Sequence, residues 1–208
     1  MTRRIGLLGG SFNPAHRGHR RMSLAAIEAL ELDELWWLVS PGNPLKPAKD
    51  MAPYPARFAS ARAMARGSRI RVSGFEAEAG TRYTVDTLAA LVGRYPADRF
   101  IWLMGADTVT QFHCWKDWRR IAQSLPIAVL SRPGYDGPAR VARAMGWLRL
   151  FVHSAATARQ WTDWSAPAIT FLRLPPDPTS ATRLRALNPD WHRRFADHPG
   201  AASVRDKE

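Results

Sequence analysis

The fold is decided by the stretch Ile5-Gly6-Leu7-Leu8-Gly9-Gly10-Ser11-Phe12-Asn13-Pro14-Ala15-His16-Arg17-Gly18-His19. It opens with a short apolar run typical of a buried strand, passes through a glycine turn and leads into a segment of helical spacing. At such a junction glycines let the backbone approach a ligand closely, while free N–H groups and the helix dipole attract anions. The stretch therefore predicts a phosphate-binding site directly after the first strand.

Similar apolar runs recur along the chain and alternate with segments of helical spacing. The runs predict strands at residues 5–8, 35–40, 69–73, 100–104, 127–130 and 169–174. Amphipathic helices are predicted at residues 18–30, 54–65 and 84–91, the last with Thr84 as its cap. The alternation indicates βαβ units, so we expect an α/β fold: a Rossmann-like open parallel sheet with helices on both faces.

The length and composition fit a single domain. Of the 208 residues 46% are hydrophobic, which suffices for one sizeable core, and we predict one domain over residues 1–198 with a flexible tail at 199–208. Loops at 41–53, 76–83 and 175–180 each follow a predicted strand. Because ligand loops of open α/β sheets leave the carboxyl ends of the strands, these loops are candidates for one shared site.

The formal charge of +12, carried mostly by arginine, points to a polyanionic partner or to a biased genome composition. The cations are dispersed and no recognition-helix motif occurs, so we expect no nucleic-acid partner, although a basic nucleic-acid-binding module remains the alternative from another class. No run of about 18 apolar residues is present, and the run before Gly9 is too short for a signal peptide. With Cys114 as the only cysteine, we expect a cytoplasmic protein without membrane insertion.

His16 and His19 lie three residues apart at a helix start, where their side chains share one face and can reach one ligand. Zinc is the competing interpretation, but two histidines without further ligands make an incomplete tetrahedral set. Ordinary surface histidines would be the default for either residue alone. The glycine-rich context favours a phosphate ligand, although the stretch fits neither G-x-G-x-x-G nor G-x-x-x-x-G-K-[ST].

The segment GGSFNPAHRGH resembles the G-G-x-F-[D/N]-P-x-H-x-G-H signature of nucleotidyltransferases with an H-x-G-H motif. The resemblance implies in-line attack of an acceptor on the α-phosphorus of a nucleoside triphosphate. His16 and His19 would then be catalytic, because they hold the phosphates and stabilise developing charge. Residues implied in ATP binding are Gly9, Gly10, Ser11, Phe12, His16 and His19.

Four later segments resemble the nicotinate-nucleotide adenylyltransferase family, in matching order. Residues 38–46 resemble a post-strand segment whose basic end, here Lys46, contacts phosphate; the usual Pro-Pro-His-Lys is Asn-Pro-Leu-Lys. Residues 78–88 resemble R-x-x-x-S-Y-T-x-D-T-L, which implies that main-chain N–H groups at Tyr83 and Thr84 bind the nicotinate carboxylate. Arg82 stands in the place of Ser there, and a plain helix start would use the same residues.

The other two segments supply an acceptor site and a second phosphate loop. Residues 102–118 resemble G-[A/G]-D followed by W-x-x-W, which implies that Asp107 holds ribose hydroxyls and Trp115 stacks on the pyridine ring; a buried tryptophan pair with Trp118 is the alternative. Residues 178–185 resemble I-S-S-T-x-I-R with Ala181 for one Ser, so residues 175–198 would form a C-terminal phosphate-binding loop and helices. The implied triphosphate contacts are Ser180, Thr182, Arg185 and, from an Arg-Pro-Gly segment, Arg132.

The resemblance implies transfer of AMP from ATP to nicotinate mononucleotide, which gives nicotinate adenine dinucleotide and pyrophosphate in NAD biosynthesis. Mg²⁺ is expected, held mainly by ATP and pyrophosphate oxygens, because the sequence offers no carboxylate cluster as a metal site. Adenylyltransferases acting on nicotinamide mononucleotide, phosphopantetheine or flavin mononucleotide are the nearer alternatives. The sequence predicts no oligomeric state.

Overall fold

Seven strands form one sheet in which each neighbouring pair is parallel. The computed structural model describes residues 2–42, 51–132, 134–175 and 177–195. The strand order is β3-β2-β1-β4-β5-β7-β6. The strands are β1 (Arg4–Gly10), β2 (Glu34–Val39), β3 (Ile70–Ser73), β4 (Arg99–Gly105), β5 (Ile127–Leu130), β6 (Val152–His153) and β7 (Ile169–Leu172).

Helices connect the strands and cover the sheet. They are α1 (Arg17–Leu30), α2 (Tyr54–Ala65), α3 (Phe75–Glu78), α4 (Thr84–Arg94), α5 (Ala106–Phe112), α6 (Trp118–Ser124), α7 (Asp136–Arg140), α8 (Met145–Leu148) and α9 (Ala181–Leu187). Short 3₁₀ segments lie at Arg149–Phe151, Ala155–Asp163 and Trp191–Phe195. No helix within the described ranges is long and apolar enough to cross a membrane.

Two hydrophobic cores lie on opposite faces of the sheet, because successive side chains of a strand point to opposite sides. Trp36 belongs to the core that includes residues of α4, α5 and α6, whereas Trp37 belongs to the core that includes residues of α1 and α2. Since both faces are covered, the strands are apolar along nearly their whole length. The predicted Rossmann-like parallel sheet with helices on both faces is confirmed.

The predicted strands and the three helices with predicted bounds are also confirmed. The structure adds strand β6 and the short helices α3, α5, α6, α7 and α8, and α3 overlaps the predicted loop at 76–83. Strand β6 was not predicted, because its two residues, Val152 and His153, are exposed or half-buried and make no apolar run. The prediction of Thr84 as a helix cap is wrong. Thr84 is the first residue of α4, Tyr83 precedes it in an extended conformation, and no side chain caps the helix.

The order of the strands decides where a ligand can bind. Strand β1 pairs with β2 on one side and with β4 on the other, so the chain winds outward in one direction and then returns to wind in the other. At such a switch point the loops that leave the carboxyl ends of the two strands diverge and open a crevice. Strand β1 ends at Gly10 and is followed by a loop, whereas β4 ends at Gly105 and is followed directly by α5.

The packing around strand β1 can be tested by substitution of Gly6, because a larger residue there would gain strand propensity but would collide with its neighbours. A Cβ atom there would lie 2.6 Å from Leu32 Cδ1 and 3.0 Å from Leu103 Cδ1, and both leucines are only 1% exposed. Gly6→Ala should therefore lower the free energy of unfolding by about 1–2 kcal/mol, because overpacking outweighs the gain in propensity. Urea denaturation measures the change.

Gly93 provides the matched control. It lies in helix α4, and a Cβ atom there would meet nothing within 4 Å. Gly93→Ala should raise the free energy of unfolding by about 0.5–1 kcal/mol. A stabilising effect of Gly6→Ala equal to that of Gly93→Ala would contradict the packing described for β1.

Candidate active site

A cavity of about 790 Å³ opens at the carboxyl ends of β1 and β4. It brings together every predicted site residue that the structure describes, although they come from six separate segments of the chain. Lys46, predicted to contact phosphate, lies outside the described residues. The predicted residues that line the cavity are Gly9, Gly10, Ser11, Phe12, His16, His19, Tyr83, Thr84, Asp107, Trp115, Arg132, Ser180, Thr182 and Arg185.

The two histidines of the H-x-G-H segment lie side by side at the start of α1. His16 immediately precedes the helix in an extended conformation, and the centroids of the His16 and His19 rings are 3.8 Å apart. The main-chain N–H of His16 donates to Nδ1 of His19 at 3.3 Å. Because Nδ1 accepts this hydrogen bond, the proton of the neutral His19 ring belongs on Nε2, which is left to donate to a ligand.

The residue between them, Gly18, permits this close pairing. A Cβ atom on Gly18 would lie 3.0 Å from both Cε1 and Nδ1 of His16. Any larger residue would push the His16 ring away from its position. The glycine of the motif is thus explained by packing against His16 rather than by an unusual backbone conformation.

Burial makes both histidines weak bases. The pKa of His16 is lowered to about 4, mainly by burial and secondly by the positive charge of Arg132, while Asp177 opposes the shift. The pKa of His19 also lies well below its usual value, because of burial first and then of His16 and Arg132. Nδ1 of His16 is buried without a hydrogen-bond partner among the described residues. The pair is therefore uncharged at neutral pH and has a free polar atom.

The C-terminal phosphate loop reaches the glycine turn through helix α9. Arg185 donates from Nη1 to the main-chain oxygen of Asn13 at 2.8 Å, and its Nη2 lies 3.3 Å from Oγ1 of Thr182. Ser180 directly precedes α9 in an extended conformation, and its hydroxyl makes no capping hydrogen bond. These side chains thus stand with the histidines around one space, as the I-S-S-T-x-I-R resemblance implies.

An acidic residue that the sequence reasoning missed fastens this loop to α1. Asp177 accepts from Arg21 Nη1 at 3.1 Å and from the main-chain N–H of Thr179 at 2.9 Å. Arg17 donates from Nε to Oγ1 of Thr179 at 3.1 Å. The hydrogen bonds from Thr179 hold the pKa of Asp177 below its usual value. Because its arginine partners lie about 160 positions away in sequence, no local pattern could reveal this contact.

Two further residues that line the cavity, with separate predicted roles, form an ion pair. Arg132 Nη1 contacts Oδ2 of Asp107, and the two side chains are partly exposed. Asp107 lies in the first turn of α5, directly after β4. Because only one nitrogen and one oxygen make this contact, both side chains keep further polar atoms that face the cavity.

The two tryptophans of the W-x-x-W segment, Trp115 and Trp118, have different neighbours. Trp115 lines the cavity and makes edge contacts with Trp102 and Phe112, at ring-centroid distances of 6.4 and 5.5 Å. Trp118 packs against Phe112 and Trp147 instead. This division agrees with the prediction that Trp115 serves the ligand and Trp118 serves packing.

Two cations flank Tyr83 at the start of α4, and the sequence reasoning assigned neither of them to the acceptor end. Nζ of Lys116 lies 4.6 Å from the centroid of the Tyr83 ring and 3.2 Å from Oδ2 of Asp86. The guanidinium of Arg82, the departure from the family pattern, lies 5.9 Å from the same ring. Both line the cavity. The substitution at Arg82 therefore adds positive charge to this end of the cavity.

Glu76 is a second residue that sequence reasoning missed. This carboxyl lines the cavity, is 8% exposed and lies near Arg57 and Ser40. Burial raises its pKa to about 7, although the Ser40 hydrogen bond and the charge of Arg57 oppose the shift. Because the sequence shows only an acidic residue after a strand, its burial could not be predicted.

Comparisons with known proteins agree with this geometry. A family model described as "Cytidylyltransferase-like" matches residues 7–187, from β1 to the end of α9. The chain is therefore a nucleotidyltransferase of the cytidylyltransferase-like class. Its curated relatives place it more narrowly.

The "Probable nicotinate-nucleotide adenylyltransferase" of Erythrobacter litoralis is 59% identical over 194 residues, which cover 93% of this chain and 89% of the relative. The protein of the same name from Parvibaculum lavamentivorans is 52% identical over 182 residues, or 88% of this chain and 90% of the relative. The chain belongs to the nicotinate-nucleotide adenylyltransferase family.

A solved structure shares the fold at much lower identity. It is the Plasmodium falciparum nicotinic acid mononucleotide adenylyltransferase complexed with NaAD, with a TM-score of 0.65 and 13% identity. The match covers 97% of this chain and 94% of that chain. At this identity the comparison supports the architecture, while the family rests on the closer relatives.

Glu76 makes a pH-dependent contribution to stability whose sign follows from its raised pKa. The folded protein retains a proton at Glu76 that the unfolded chain releases above about pH 4.5, so this contribution falls as pH rises toward about 7. Glu76→Gln keeps the uncharged shape at every pH. The stability of the variant relative to the natural protein should therefore rise by up to about 3 kcal/mol between about pH 4.5 and pH 8.

Urea denaturation of both proteins across this pH range measures the difference. The comparison cancels the contribution of His16, whose lowered pKa has the opposite effect: its stabilisation is lost as pH falls from about 6.5 toward about 4. A difference in unfolding free energy that is the same at every pH would contradict the buried, protonated state of Glu76.

Proposed function

We propose that this protein transfers AMP from ATP to nicotinate mononucleotide, releasing pyrophosphate and forming nicotinate adenine dinucleotide in NAD biosynthesis. The observation that carries the proposal is a single cavity with two chemically different ends. One end combines the glycine turn, two uncharged histidines and Arg185, while the other combines Trp115 with the start of α4. The names of the curated relatives support the same reaction.

At the donor end, ATP lies with its phosphates against the glycine turn and the two histidines. Nε2 of His19 donates to a phosphate oxygen, and the negative charge of the triphosphate raises the pKa of both rings. An acceptor phosphate oxygen then attacks the α-phosphorus in line, and the bond to the pyrophosphate oxygen breaks. The histidines stabilise the charge that develops and do not need to remove a proton, because the attacking phosphate is already anionic.

The β- and γ-phosphates are held by the C-terminal loop and by Arg132. Arg185 supplies two-pronged contact, and the free Ser180 hydroxyl donates together with Thr182. Mg²⁺ accompanies ATP and is held mainly by its phosphate oxygens, where its charge screens the triphosphate. No group of three or more His, Cys, Asp or Glu side chains suited to a metal ion occurs in the described part of the chain.

At the acceptor end, the nicotinate carboxylate binds main-chain N–H groups at Tyr83 and Thr84, where the dipole of α4 favours an anion. Trp115 stacks on the pyridine ring, and Asp107 holds ribose hydroxyls. Lys46, which lies outside the described residues, is assigned to the acceptor phosphate by the family resemblance alone. The positive charges of Arg82 and Lys116 favour the acid over the neutral amide. We place the reaction in the cytoplasm, because Cys114 is a free, exposed thiol and such thiols stay reduced there.

The reaction is tested by incubation of the pure protein with ATP, Mg²⁺ and either nicotinate or nicotinamide mononucleotide. We expect dinucleotide and pyrophosphate in equal amounts, formed faster from the nicotinate substrate. His19→Ala should lower kcat by on the order of 100-fold, because one donor to the reacting phosphate is lost. Absence of product with both acceptors would refute the proposed reaction.

His153→Ala is the matched control for this variant. His153 stacks on Trp164, with ring centroids 4.2 Å apart, on the edge strand β6. It should keep the kcat of the natural protein. If His19→Ala had the same kcat as the natural protein, His19 would have no role in the reaction.

A further inference from the structure

Helix α2 carries a buried arginine whose hydrogen bonds all reach main-chain carbonyl groups. Arg57 is 1% exposed. Its guanidinium donates to the oxygens of Ser11 at 2.8 Å, Ser40 at 2.7 Å and Pro41 at 2.9 Å, and Nε donates to Ala52 at 3.0 Å. One side chain thus joins the loops that follow β1 and β2 to the segment before α2.

A second buried side chain of α2 acts on the same loop. Ser60, 4% exposed and one turn from Arg57, accepts from the main-chain N–H of Ala15 through Oγ at 3.2 Å. Arg57 therefore holds the loop at residue 11 and Ser60 holds it at residue 15. The loop between these two points leads from the glycine turn to His16.

The backbone of that loop needs such support. Phe12 has a φ of 44°, in the left-handed region that non-glycine residues avoid. Backbone strain of this kind persists only where surrounding contacts determine the conformation. The two contacts of α2 lie on either side of Phe12, which itself lines the cavity and packs on His19 at a ring-centroid distance of 5.1 Å.

We propose that Arg57 and Ser60 are positioning residues that hold loop 11–15, and through it His16 and His19, in the geometry that phosphate transfer requires. The inference deepens the proposed function and rests on it. Neither side chain is among the residues that line the cavity, so both act through the backbone they hold. Displacement of reacting groups by about 1 Å can cost on the order of 100-fold in rate, so modest loosening of the loop is kinetically visible.

Ser60→Ala and Ser23→Ala form a matched pair that separates positioning from general stability. Ser23 is also a buried helical serine that accepts one hydrogen bond, but from Nε1 of the core residue Trp37 at 2.8 Å. Each variant loses one buried hydrogen bond, so their losses of stability should be similar. Their kinetic effects should differ because Ser60 holds the main chain of the loop directly, at Ala15. Ser23 reaches the loop only through Trp37, whose ring stacks on Phe12 and meets His19 edge-on.

Steady-state kinetics should show that Ser60→Ala lowers kcat/KM for ATP roughly 3- to 10-fold. The KM for nicotinate mononucleotide should stay within about twofold, because the contact that Ser60 makes is to the main chain of Ala15, in the loop after β1. Ser23→Ala should leave both parameters within about twofold. Equal kinetic effects of the two serine variants, or none from Ser60→Ala, would overturn the proposal.

Arg57→Lys and Arg57→Gln provide a second test. Lysine keeps the charge but loses the planar fork, so we expect a fall in kcat/KM for ATP of roughly 10- to 100-fold, and a larger fall for glutamine. Wild-type kinetics in Arg57→Lys with intact folding would overturn the role of Arg57. If Arg57→Gln does not fold, Arg57→Lys and the two serine variants still test whether α2 positions the loop.

Calorimetric titration with ATP distinguishes failure of this inference from failure of the proposed function. An inactive natural protein would refute the reaction, yet weaker ATP binding by Ser60→Ala than by Ser23→Ala would still support the role of α2. A fully active natural protein with indistinguishable ATP binding and kinetics in the two variants would overturn the inference alone.

Discussion

Two histidine rings whose centroids lie 3.8 Å apart can share that space comfortably only while at least one of them is uncharged. Burial meets this condition in the free protein, because it lowers the pKa of both rings. Much of the surrounding structure serves the pair: Gly18 leaves room for His16, Phe12 packs on His19, and strand β1 delivers the turn that precedes them. Arg132 and Arg185 line the same cavity, and their positive charges favour an anionic ligand beside the histidines.

The charge of Arg132 acts on both the histidine pair and Asp107. Arg132 lowers the pKa of both histidines and also pairs with Asp107 at the acceptor end. The large positive charge of the chain favours encounters with two anionic substrates, whose own repulsion otherwise opposes binding at one site.

Local sequence patterns predicted much of this molecule, because the information they need lies within a few residues. The long apolar runs gave the central strands, and the H-x-G-H segment gave the phosphate end of the cavity. Strand β6 was missed because two residues are too few to show a pattern. Thr84 was predicted as the cap of α4 because its side chain carries a hydroxyl, but Tyr83 stands at the cap position. Asp177, Glu76 and Arg57 depend on partners distant in sequence, and their burial appears only once the sheet is assembled.

The ionisation of the histidine pair tests the central claim most directly. Proton NMR titration of the histidine rings, assigned by comparison with the His16 and His19 variants, measures each pKa in the free protein and with a non-hydrolysable ATP analogue. The account predicts a pKa of about 4 for His16 in the free protein and a clear upward shift for both rings when the analogue binds. Ordinary pKa values in the free protein, or values that the analogue leaves unchanged, would contradict it.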